Sequence, residues 1–191
     1  VGSTTIAGHL ADLERGEVLA SAGAMNPQIR FGEDLMSRVS YVMMHPGSEQ
    51  ELTRAVRGCL AKLTAELARD AGVSRDEILE LTLVGNPIMH HLVLGIDPVE
   101  LGGAPFALAV DHSLTLRASS LGIAVHPDAR IYVLPCIAGH VGADAAGMIL
   151  AERPDQGAEM TLLVDVGTNA EIVLGNRDRL LACSSPTGPA F

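Results

Sequence analysis

The chain has 191 residues, 48% of them hydrophobic but only 3% aromatic, so one large domain or parts of two must be built around Leu, Val, Ile, Ala and Met. A formal charge of −10 removes the clustered Lys/Arg footprint of a nucleic-acid binder and disfavours an anionic membrane surface. No apolar run reaches the roughly 20 residues of a membrane span and no signal peptide is visible, which predicts a soluble, cytoplasmic protein.

In chain order, 3–13 and 17–25 read as a β-hairpin turning at Glu14-Arg15-Gly16-Glu17. Asn26-Pro27-Gln28 is a turn. A helix is predicted over 33–44, with Leu35, Met36, Val39 and Met43 facing inward. Ser48 with Glu51 spells a capping box before a long helix, whose stripe of Leu52, Val56, Leu60, Leu63 and Leu67 runs to a stop at Gly72. Cys59 lies beside that stripe and reads as a packing residue. The stripe looks broader than one core needs, which, with the family resemblance given below, predicts a homodimer. Ser74 and Glu77 repeat the capping pattern. A strand over 79–84 leads into Asn86-Pro87, with Pro in its favoured first helical position, and Gly95 ends that helix.

From 97 to 127 the pattern weakens to loops and short strands. A buried strand over 131–134 then runs through Pro135-Cys136 into a Gly-rich turn, and a small-residue helix over 143–152 follows. After a linker at 154–158, Met160 opens a second strand-turn-strand unit, with a turn at Asn176-Arg177-Asp178-Arg179. The order is that of an α/β fold with buried parallel strands.

Two segments stand out. Val1 to Ile6 reads VGSTTI, and Val166 to Ile172 reads VGTNAEI behind Leu162-Leu163-Val164-Asp165. Each is an apolar strand turning through Gly into hydroxyl residues and resuming as a strand. Such a turn brings backbone N–H and hydroxyl groups close to an anionic oxygen. One copy alone is as readily an ordinary hairpin bend; two in matching contexts point to a duplicated fold with a nucleotide between its halves. Gly2, Ser3, Thr4 and Thr5 on one side, and Gly167, Thr168 and Asn169 on the other, are the candidate phosphate contacts. Asp165 is the candidate Mg²⁺ residue, since Mg²⁺ keeps most of its waters and takes one or two carboxylates beside phosphate oxygens. The chain opens without Met, inside a motif whose acidic position would precede Val1, and closes at Phe191 in a Gly/Pro-rich loop, so a longer protein is expected.

This pattern resembles the ribonuclease-H-like, duplicated fold of acetate and sugar kinases, Hsp70 and actin (the ASKHA superfamily). More closely, the strings VGSTTIAGHLADLERGEVLASAGAMNPQIRFGEDLMSRV, LVGNPIMHHLVLGIDP, LPCIAGHVGADAAGMI, LLVDVGTNAEIVLGN and CSSPTGPAF resemble the reductive activators of corrinoid proteins from end to end. The resemblance implies a middle-domain region to about residue 75 that carries the first phosphate hairpin. From residue 76 it implies the start of a C-terminal ATPase domain, with the second hairpin from about residue 160. It implies ATP and Mg²⁺ as cofactors, a [2Fe–2S] cluster in an N-terminal ferredoxin-like domain elsewhere, and an adenosine-binding half beyond this stretch. The implied function is ATP-driven electron transfer to the Co(II) corrinoid of a methyltransferase partner. The alternatives are a metabolite kinase of the same superfamily and an actin-like, nucleotide-dependent assembly module.

In superfamily relatives, the connection from a strand to a helix such as Gly139 to Asp144 supplies an acidic group near the γ-phosphate. Asp144 is therefore the candidate catalytic residue, with helix capping as the competing reading. Glu171 shares a strand face with Asn169 and either lines the site or meets solvent. His140 reads as a phosphate contact or a structural residue. His90 and His91 lie about 100° apart on a helix, which predicts one inward and one exposed rather than a metal pair. His9, His45, His112 and His126 have no metal-site spacing. Cys59, Cys136 and Cys183 form no CxxC, and Cys183 reads as an exposed thiol.

Overall fold

The computed structural model describes residues 1–188; residues 189–191 of the CSSPTGPAF segment lie outside it. Strands β1 (Thr5–Ala11) and β2 (Val18–Met25) pair antiparallel, with Thr5 opposite Met25. Their turn is fixed by the Asp12 carboxylate, which accepts hydrogen bonds from the N–H groups of Glu14 (2.8 Å) and Arg15 (3.1 Å). Ile6 buries fully, and the hairpin presses onto helix α2 (Glu49–Ala71). A β-carbon added at Gly8 would stand 3.0 Å from the end of the Leu67 side chain, so the glycine lets the hairpin lie close against the helix.

Leu52, Val56, Leu60, Leu63 and Leu67 are all buried within the chain, α2 packing on β1, β2 and helix α3. That stripe leaves no apolar face for a second copy, so it gives the expected homodimer no support. Ser48 does not cap α2 as its spacing predicts. Its backbone is already helical (φ −75°, ψ −13°), so its side chain cannot reach the helix N–H groups, and its hydroxyl is buried without a partner. The second capping box, Ser74 with Glu77, forms in full.

Helix α1 (Leu35–Met44) starts at Asp34, whose carboxylate accepts from the Ser37 N–H at 2.7 Å. Its inward residues are Leu35, Arg38, Val39 and Val42, whereas Met36 and Met43, expected inward, are exposed. These methionines sit roughly 80–100° around the helix from Leu35. The inward slot belongs instead to Arg38, which buried acceptors satisfy.

Strand β3 (Glu80–Leu83) pairs parallel with β5 (Arg130–Val133), and β4 (Leu114–Arg117) pairs antiparallel on the other side of β5. The parallel expectation therefore holds for one pair of this mixed sheet. Helix α3 (Pro87–Leu94) follows β3, with the Asn86 side chain accepting from the Met89 N–H at 2.9 Å. From Pro87 to Val93 every residue of α3 is buried, so neither histidine reaches solvent, contrary to the one-in, one-out expectation. His91 donates from Nδ1 to the Pro87 carbonyl (2.8 Å) and accepts at Nε2 from the Ala109 N–H (3.0 Å). His90 has no hydrogen-bond partner, and burial, reinforced by His91, pushes its pKa down to about 4.

One apolar cluster runs from Ile6 to Val133, and a smaller one joins Leu134, Cys136 and Ala143. Helix α4 (Ala143–Glu152) lies against the antiparallel meander β6 (Thr161–Val166), β7 (Asn169–Asn176) and β8 (Arg179–Pro186). The fold is mixed α/β, and its connections bring β1, β3, α4 and β6–β7 to a common cleft.

Candidate functional site

Each glycine turn is closed by its own backbone. The Gly2 N–H donates to the Thr5 carbonyl (3.1 Å) and the Gly167 N–H to the Asn169 carbonyl (2.9 Å). A β-carbon at Gly2 would lie 2.5 Å from the Thr5 oxygen, which a side chain could not tolerate. The turns meet: the hydroxyls of Thr4 and Thr168 are 3.1 Å apart, although 164 residues separate them. Beneath them lies a cleft of about 270 Å³ lined by Gly2, Ser3, Gly167, Thr168, Asn169, Asp144, Asp165 and Glu171, with Val84 to Asn86 at its base. Of the expected phosphate contacts, Thr4 bridges the turns at the rim and Thr5 begins β1; neither lines the cleft.

Three carboxylates share this space. Asp144 sits in the first turn of α4 because Gly142 packs where a β-carbon would be 2.6 Å from the Asn86 Cα, and the N–H groups of Ala143 and Asp144 both reach the Gly85 carbonyl (3.0 and 3.3 Å). Its Oδ1 accepts from the Ala145 N–H at 2.9 Å. Burial raises the Asp144 pKa; nearby backbone N–H groups oppose that shift and Asp165 adds to it. Glu171 lies directly across from Asp165 in the β6–β7 register and is only 6% exposed. Its Oε1 accepts from the Ser184 hydroxyl at 3.1 Å, and its pKa is raised by burial and then by Asp144. Glu171 thus lines the cleft rather than meeting solvent. His140 does not enter it, but packs its ring against Phe106 at a 4.1 Å centroid distance. Among the described residues no group of three or more His, Cys, Asp or Glu forms a ready-made metal cage. All the side-chain donors facing the cleft are oxygens or amides, which suits a hard cation that brings its own water and phosphate ligands.

A second layer lies behind the first turn, and it is not apparent in the sequence. Asn26, Gln28 and Arg38 are each fully buried. Asn26 donates from Nδ2 to the Gly2 carbonyl (2.8 Å) and from its backbone N–H to the Thr4 carbonyl (2.8 Å). Arg38 donates from Nη2 to the Ser3 carbonyl (2.6 Å), from Nε to the Gly32 carbonyl (3.0 Å) and from Nη1 to Gln28 Oε1 (3.3 Å). Burial pulls the guanidinium pKa down to about 10, with Asp34 opposing, so it stays charged at neutral pH. The second turn has a neutral counterpart: the Thr187 hydroxyl donates to the carbonyls of Gly167 and Thr168, the latter at 3.0 Å. The available signal was Arg38 itself, a charge at the i+3 position of an inward stripe starting at Leu35.

Residues 1–156 match the family described as the RACo middle region, and residues 159–191 match the C-terminal domain of RACo, the ASKHA domain. The chain belongs to the RACo family. It is 32% identical over its whole length to the corrinoid activation enzyme RamQ of Eubacterium limosum, and 25% identical to the [Co(II) methylated amine-specific corrinoid protein] reductase of Methanosarcina barkeri. A solved structure titled reductive activator for corrinoid, iron-sulfur protein superposes over the full chain with a TM-score of 0.96 at 36% identity. The chain spans 32%, 36% and 30% of these three proteins, about a third of each.

Proposed function

We propose that this chain is the phosphate-gripping part of an ATP-dependent reductive activator of a corrinoid protein. The observation that carries the reading is the meeting of two glycine hairpins over one acidic cleft, with Thr4 and Thr168 in hydroxyl contact. In this reading the fold is a duplicated, ribonuclease-H-like one, and the hairpins are its equivalent phosphate loops. The Ser3 and Thr168 hydroxyls and the turn N–H groups bind phosphate oxygens, Asp165 holds the hydrated Mg²⁺, and Asp144 orients the attacking water. Mg²⁺ neutralises charge on the phosphates when bound. The catalytic contribution of these residues is positioning and electrostatics, as at other phosphoryl-transfer sites.

The relatives' names, a corrinoid activation enzyme, a corrinoid protein reductase and a reductive activator, support a corrinoid-protein partner over a metabolite substrate or a filament. The [2Fe–2S] electron source belongs, in this proposal, to another part of the full-length protein, because such a cluster takes four cysteine thiolates and this chain has three, Cys59, Cys136 and Cys183. Asp165→Ala and Thr168→Ala in the full-length protein test the reading. Each is expected to impair Mg-ATP binding or hydrolysis, and with it reduction of the corrinoid partner, while leaving the fold intact. Wild-type hydrolysis by both variants would remove Asp165 to Asn169 from the role of phosphate loop.

A further inference from the structure

We propose that Arg38 is the positioning residue of the first hairpin: it fixes the Ser3–Thr4 peptide from behind, presenting the Thr4 N–H at the rim of the cleft, and places a positive charge behind the bound anion. The proposal rests on reading the cleft as a phosphate site and deepens it.

In a trans peptide the carbonyl of one residue and the N–H of the next point in opposite directions. Pinning the Ser3 carbonyl toward the interior, as Arg38 Nη2 does at 2.6 Å, therefore turns the Thr4 N–H outward. The Asn26 side chain does the same through the Gly2 carbonyl for the Ser3 N–H. Among the described residues neither of these N–H groups has a hydrogen-bond partner, although all three carbonyls of Gly2, Ser3 and Thr4 are occupied. Successive free N–H groups of this kind form an anion-binding concavity.

A buried guanidinium normally faces a carboxylate, because desolvating it alone is costly. Arg38 makes no ion pair among the described residues: its hydrogen-bond acceptors are the carbonyls of Ser3 and Gly32, the Gln28 amide oxygen and the Met89 sulfur, all neutral. An apolar side chain would fill this slot of α1 without that cost. Asp34 acts on the guanidinium through space but makes no ion-pair contact with it, and the charge lies behind the turn that faces the cleft, where a phosphate would complement it.

The test uses the full-length protein with Mg-ADP and a non-hydrolysable Mg-ATP analogue, read by calorimetry and by the rise in Tm that the nucleotide produces. If the wild type binds neither, the phosphate-site reading fails, and this inference fails with it. Given wild-type binding, Arg38→Gln is expected to weaken nucleotide affinity on the order of 10- to 100-fold, since it removes a charge-assisted bond and the charge itself. Arg38→Lys keeps the charge but loses the fork that holds three acceptors, so its loss should be smaller but measurable, about three- to tenfold. A merely structural arginine would lower the Tm of the free protein but leave the calorimetric affinity unchanged, and at a given nucleotide concentration the stabilisation free energy is set by that affinity. A folded Arg38→Gln variant with wild-type affinity overturns the inference while the phosphate-site reading stands. Should Arg38→Gln fail to fold, Arg38→Lys decides: wild-type affinity overturns the proposal, and weakened binding supports it.

Discussion

Replacing Glu171 by Gln removes one negative charge from a cleft that three carboxylates face. Glu171 is 6% exposed and stands directly opposite Asp165 across β6 and β7. Like charges opposite each other on paired strands cost about 0.2–1 kcal/mol, and burial of Glu171 adds to that cost. Gln retains an oxygen to accept from Ser184, so little is lost in exchange. The variant is expected to be about 1 kcal/mol more stable at about pH 7.5 without nucleotide, or about 2–4 °C in Tm for a domain of this size. The pH dependence has a definite sign. The folded-state pKa of Glu171 is raised above its ordinary 4.5, so protonation favours the fold, and that benefit is lost as pH rises through the folded value. The advantage of Gln is therefore largest at neutral pH and shrinks on acidification toward 4.5. Thermal melts of both proteins at about pH 7.5 and pH 5 measure it. A lower Tm for Glu171→Gln at neutral pH, or a gain that grows on acidification, would refute the reasoning.

Asn86→Ala removes the side-chain cap of α3 at a buried position and should cost about 0.5–2 kcal/mol in denaturant unfolding. Leu52→Ala, at a site with no exposure, should cost about 2–5 kcal/mol by the same measurement. His90 carries a folded pKa of about 4 against an ordinary 6.5, so its contribution is present above 6.5 and is lost as pH falls toward 4. That loss is on the order of 3 kcal/mol, and His90→Leu should flatten stability across this window; an unchanged pH profile would contradict it. The exposed Cys183 should alkylate readily in the native protein. Cys136, buried and with its thiol pushed up to about 11, should resist until unfolding, as mass spectrometry of timed quenches can show.

What the sequence revealed was local. The hairpin turns, the ends of α2 and α3 at Gly72 and Gly95, and helix α4 follow from glycine placement, capping residues and apolar spacing, which act over a few residues. The paired VG turns could be read because each is a short contiguous string. What escaped was set by distant contacts. Ser48 carries a capping pattern, but the chain arriving through Gly47 is already helical there, so the hydroxyl has nothing to cap. His90 and His91 fall on an apolar helix that is wrapped on all sides, which periodicity within the helix cannot register. Arg38, Asn26 and Thr187 act on carbonyls up to 35 residues away, and no spacing rule connects an arginine on α1 to a turn at Ser3.

The most direct test of the central claim is a crystal structure of the full-length protein with Mg²⁺ and a non-hydrolysable ATP analogue. The account predicts the β- and γ-phosphates between the turns at Gly2 to Thr4 and Gly167 to Asn169, with the Thr4 N–H donating to a phosphate oxygen and the metal on the Asp165 side. Phosphates bound elsewhere, with both turns free of contact, would contradict it.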